Sequence, residues 1–211
     1  MKYVDPDGRE IIFDPKSQKI VDEFRNITQD LLEGFSCTEE QRKEYTAALN
    51  ELSVLENSEQ MYHIQDIGST YNQIKGGTYY NSKDNSICID YNGQTANLAH
   101  ELKHAYQFEI GELSFKKTGK SFGELYDIND EVDAHKRGGA YDNKQLGAIR
   151  NIENTYRFRI ENDKEHDYYY PFRATAPNRY STAGNKRENI NISTINNKID
   201  LSNDIFRSHV P

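Results

Sequence analysis

The chain has no tryptophan, two cysteines, two methionines and five prolines in 211 residues. Cys37 and Cys88 lie far apart, without a C-x-x-C pair or evenly spaced partners. That spacing argues against a disulfide scaffold and for a setting that is reducing at some stage, and neither thiol looks catalytic. No apolar run approaches the roughly 18 residues of a membrane-spanning helix, and the N-terminus shows no signal-peptide core. Basic charge is also short: 26 Lys and Arg stand against 34 Asp and Glu, net charge -8, and the cations are scattered. With a pI near 5.3, neither a nucleic-acid backbone nor an anionic membrane surface is an expected partner. Hydrophobic residues make up only 35% and mean hydropathy is -0.93. A chain of 24.5 kDa still suffices for one domain with a core, with part of it poorly packed. Glu161 to Pro211 holds Tyr168-Tyr169-Tyr170-Pro171, Thr175-Ala176-Pro177-Asn178 and an Asn-rich run, so loops, short elements and a tail are expected there.

What is present is organised by period and punctuation. Ser17 to Phe35 spaces Ile20, Val21, Phe24, Ile27, Leu31 and Leu32 as a helix ending near Gly34. Thr38-Glu39-Glu40-Gln41 is a capping-box signature for a second helix running to about Asn57. These two helices are expected to cover one side of a sheet. Gly77 to Asn81 and Ser86 to Tyr91 read as strands of a hairpin, and Asn92-Gly93 turns the chain into an apolar-periodic helix from Gln94 to Ile110. A helix around Glu131 and another from Asn143 to Ile160, with Leu146, Ile149, Ile152, Tyr156 and Ile160 as its packed stripe, complete an α+β reading. Fifteen tyrosines supply rings with a polar tip, suited to orienting a substrate and equally to a hydrated core.

The helix after the hairpin carries His100-Glu101-Leu102-Lys103-His104. Positions i and i+4 of a helix stand one above the other, so two imidazoles can reach one zinc ion while Glu101 faces a water on it. Zinc lowers the pKa of such a water to about 7, and a neighbouring carboxylate can take its proton and pass it to a leaving amine. Leu98, Leu102, Ala105 and Glu109 fall on the side opposite His100 and His104, so one face packs and the other looks into a cleft. Lys103 alone breaks this pattern, near the packed side.

A catalytic zinc site takes three protein ligands and leaves a position for water, so one more His, Asp or Glu is expected downstream. A metzincin continuation is excluded, because Gln107 and Ile110 stand where it requires Gly and a further ligand. The run Asn129-Asp130-Glu131-Val132-Asp133-Ala134-His135 offers candidates. Glu131, with Ala134 completing an E-x-x-A pattern, resembles the glutamate-ligand helix of gluzincins, the thermolysin-like branch of the zinc peptidases. The resemblance implies a zincin-like fold, one zinc per chain held by His100, His104 and Glu131, and Glu101 as base and then acid. His135 and Asp133 remain alternative ligands, and His135, Tyr141 and Tyr126 are the candidate donors to the oxyanion. In such peptidases the strand just upstream of the metal helix often lies at the sheet edge, where an extended peptide can pair with it.

Met1-Lys2-Tyr3-Val4-Asp5-Pro6-Asp7-Gly8-Arg9-Glu10 resembles the segment that closes the core of Rhs-type (YD-repeat) proteins, at the junction with a variable C-terminal toxin. Read physically, Asp5-Pro6-Asp7-Gly8 is also an ordinary β-turn. The resemblance implies a junction remnant over 1–14, a peptidase domain over 15–165 and a loop-rich extension over 166–211 packed on it. It further implies a bacterial effector delivered without a signal peptide, the alternative being a cytoplasmic protein, and an immunity protein as partner. The expected activity is endopeptidase cleavage of a protein or peptide substrate by a monomer. A zinc amidase acting on peptidoglycan peptides and a binding module with a vestigial motif are the other readings.

Overall fold

The computed structural model describes residues 13–68, 76–116, 124–125, 128–142, 189–190 and 192. The Rhs-like stretch, Tyr126, the helix expected from Asn143 to Ile160 and most of the extension lie outside the described residues.

Helix α1 spans Pro15–Glu33, two residues earlier than the apolar spacing suggested. Asp14 sets that start: its carboxylate accepts from the backbone N–H of Lys16 and Ser17, and Pro15 fills a first-turn position where no N–H is needed. Helix α2, Glu39–Glu56, opens on the full capping box, with Thr38 Oγ1 and Gln41 Oε1 each accepting the other's backbone N–H at 3.1 Å. Strands β1 (Tyr62–Asp66), β2 (Gly77–Asn81) and β3 (Ser86–Tyr91) form a mixed sheet in the order β1-β3-β2. β2 pairs antiparallel with β3 as the expected hairpin, while β1 runs parallel to β3 with Ile64 opposite Ile89.

The strand immediately upstream of the metal helix is therefore central, not an edge as expected. β1 had not been read from the sequence; Tyr62 and Ile64 bury themselves on the core face and claim the far side of β3. Among the described residues, the edge on the hairpin side is β2.

Gly93, at φ +80, turns the chain from β3 into helix α3, Thr95–Glu109. The turn is tied by Asn97, whose Oδ1 accepts the backbone N–H of Asn92 at 2.9 Å. Helix α3 is buried on nearly every side, with Ala96, Ala99 and Ala105 permitting close approach and Phe108 fully enclosed. Beyond it, β4 (Ser114–Lys116) lies between β5 (Glu124–Leu125) and β6 (Asn189–Ile190) in a second small antiparallel sheet. Helix α4 spans Ile128–Tyr141 and packs along α3.

Among the described residues α1 lies against the sheet at β1, whereas α2 packs mainly on α1, α3 and α4. The reason is electrostatic as well as apolar. Arg137 of α4, 4% exposed, donates to Glu44 and Glu51 of α2 at 2.9 and 2.6 Å, and Lys103 of α3 reaches Glu51 at 2.8 Å. Burial works against the Arg137 charge, but the two carboxylates outweigh it and push its pKa up. Lys103 thus joins a partner rather than breaking the packed face. One core joins Val21, Phe24, Leu52, Leu55, Ile87, Ile89, Leu98 and Phe108, closing the space between sheet and helices.

Candidate metal centre

Helices α3 and α4 bring two imidazoles and one carboxylate to a single point. His104 Nε2 lies 3.2 Å from His100 Nε2 and 2.9 Å from Glu131 Oε2, and His100 Nε2 lies 3.8 Å from that oxygen. Donors about 2.0–2.2 Å from one tetrahedral ion stand roughly 3.3–3.5 Å apart, and the three observed separations bracket that spacing. His100, His104 and Glu131 are 9, 2 and 8% exposed. Buried nitrogens and a carboxylate oxygen pointing at one another are reconciled by a positive charge between them, a proton or a metal ion. The described residues whose donor atoms come close enough to share one ion are these three.

Electrostatics prepares the donors. Burial, and secondly the neighbouring His104, lowers the pKa of His100 to about 3, so its ring is neutral near pH 7 and open to a cation. Burial would raise Glu131, but the hydrogen bond from His104 and the neighbouring imidazoles of His135 and His100 hold it well below the usual carboxylate range. The His100 ring is also hydrogen-bonded to the Ala134 backbone. Ala134 itself is fully buried where α4 meets α3, so a small side chain there allows the close crossing.

Glu101, 5% exposed, is not one of the three donors, and its carboxylate is held from the side of the sheet. The hydroxyl of Thr78 on β2 is shared between the Glu101 backbone carbonyl at 3.1 Å and its Oε2 at 3.2 Å, while Oε1 accepts from Asn97 Nδ2 at 3.4 Å. Both donors went unread in the sequence; Asn97 stands one turn before Glu101, the only local signal available.

The remaining candidates separate clearly. His135 joins the cluster: its ring packs edge-on to His100 at 4.5 Å, its Nε2 is 3.7 Å from Glu131 Oε1, and its Nδ1 is buried without a hydrogen-bond partner among the described residues. Asp133 is solvent-facing and paired with Lys136 at 3.2 Å. Tyr141 is not brought to the centre. It lies ten residues after Glu131, about 15 Å along the helix axis, with its hydroxyl 2.9 Å from Thr28 and its ring against Phe24 and Tyr45. A role for Tyr141 as oxyanion donor is accordingly replaced by one in helix packing.

Comparison of the chain with protein-family models, with curated proteins and with solved structures returns no match. Among the described residues, no helix is long and apolar enough to cross a membrane.

Proposed function

We propose that this chain is a zincin-like, zinc-dependent peptidase with a gluzincin-type ligand set. The observation that carries the reading is the convergence of His100, His104 and Glu131, with the carboxylate of Glu101 one residue away on hydrogen bonds of its own. Two imidazole nitrogens and one carboxylate oxygen at this spacing fit zinc, and three ligands from protein mark a catalytic rather than a structural site. When bound, zinc supplies Lewis acidity, acidifying a water and polarising a carbonyl.

The chain's own groups supply the rest. Thr78 and Asn97 hold the Glu101 carboxylate in one orientation, so that it can take a proton from the attacking water and return it to the leaving amine. His135 sits beside Glu131 and His100, where a ring N–H can donate to charge developing on the substrate oxygen. Strand β2 carries Thr78 at the sheet edge, and its outer backbone groups suit an extended peptide laid next to Glu101, which favours a protein substrate. The Rhs-like N-terminal stretch supports an effector role in which this domain is delivered to another cell.

Two measurements test this. Protein purified without added zinc should carry about one zinc per chain, both as wild type and as Glu101→Gln, since no ligand is altered. New protein termini in the proteome of expressing cells should arise with wild type only. A folded wild-type protein without metal, or equal cleavage by Glu101→Gln, overturns the proposal; cleavage confined to cell-wall peptides redirects it to an amidase.

A further inference from the structure

We infer that Gln107 is a positioning residue for the metal centre, fixing His104 in the one tautomer that can bind an ion. The inference rests on the metal-site reading above. Gln107 lies one turn after His104 on α3 and is fully buried. Its Nε2 donates to the Asp130 carbonyl at 3.0 Å, and its Oε1 lies 2.8 Å from His104 Nδ1.

The direction of these bonds is forced. A backbone carbonyl only accepts, so the amide nitrogen must face Asp130 and the amide oxygen must face His104. An amide oxygen also only accepts, so His104 Nδ1 carries the proton. Its Nε2, aimed at His100 Nε2 and Glu131 Oε2, is then the nitrogen left to take a proton shared with Glu131 in the metal-free protein or an ion in the loaded one. Partners of this kind orient ligand rings and raise their basicity.

Gln107 also couples the two halves of the centre. The carbonyl it grips belongs to Asp130, the residue before Glu131, so one side chain ties the His104 ring to the turn of α4 that carries the carboxylate ligand. Both imidazoles thereby lean on α4 backbone, His100 at Ala134 and His104 through Gln107 at Asp130.

The test uses Gln107→Met, which keeps volume without an acceptor, and Gln107→Glu, which restores an acceptor toward His104. Zinc affinity is read by competition with a chromogenic chelator, and the His104 tautomer by long-range 1H–15N spectra of the metal-free protein above neutral pH. Wild type should show a protonated Nδ1 on His104. Gln107→Met should lose it and bind zinc about 10–100-fold more weakly, with Gln107→Glu recovering most of the affinity. Unchanged affinity and tautomer in Gln107→Met, or equal losses in both variants, overturn the positioning role. A folded wild type that binds no zinc overturns the metal reading itself, while its tautomer still reports on Gln107.

Discussion

Acidifying the metal-free protein should unfold it through His100. Its side chain is buried and its pKa falls from 6.5 to about 3 on folding. The unfolded chain therefore takes up a proton at this residue below about 6.5, whereas the folded chain does not until about pH 3. Between those values the unfolded state binds more protons, so stability falls as pH falls, by about 1.4 kcal/mol per pH unit for one group. From pH 6.5 to 5, where most side-chain carboxylates stay ionised, the loss amounts to about 2 kcal/mol, rising to about 5 kcal/mol near pH 3. Urea unfolding in the presence of a chelator, across pH 5 to 7, measures the slope. His100→Leu removes the titrating group while leaving the other five histidines in place, so its slope should be shallower by about 1.4 kcal/mol per pH unit. Coincident slopes for the two proteins would refute the claim that His100 is held neutral by its surroundings.

Two further expectations concern the centre and its support. Glu131→Ala removes one of three donors and should lower zinc affinity by at least 100-fold in equilibrium dialysis; undiminished zinc content would reassign the third ligand, with His135 the nearest substitute. Gly76 has φ +114, and an added Cβ would stand 2.7 Å from Asn97 Oδ1 and 2.8 Å from the Asp90 carbonyl. Gly76→Ala should thus cost about 1–3 kcal/mol in chemical denaturation and, by displacing the Asn97 that holds Glu101, reduce turnover more than zinc content.

Local signals were legible wherever a local physical device builds the element. The Thr38–Gln41 box, the Asn92-Gly93 turn and the 3.6-residue spacing of α1 and α3 act within a few residues, and the hairpin strands fall where their flanking turn residues put them. β1 escaped notice because its partner is β3, about 25 residues on, and a parallel pairing leaves no turn signature between the two. In the candidate site His100 and His104 followed from helical spacing, and Glu131 from the resemblance of its E-x-x-A run to the gluzincin ligand helix. Thr78 did not, since its contact with Glu101 exists only once the sheet edge meets α3. Gln107 drew attention only for not being glycine, although its place one turn after His104 was the clue to its contact. Ranking Tyr141 by closeness in sequence to Glu131 failed because three turns of α4 carry it to the far end of the helix.

The charged clasp between α2, α3 and α4 fixes the frame of the candidate site. Glu51 of α2 grips Lys103 and Arg137 together, so the spacing of α3 and α4 is maintained from behind, independently of anything bound in front. A substitution at Glu51 therefore reaches His100, His104 and Glu131 together, through the helices that carry them, although Glu51 is not one of the three donors.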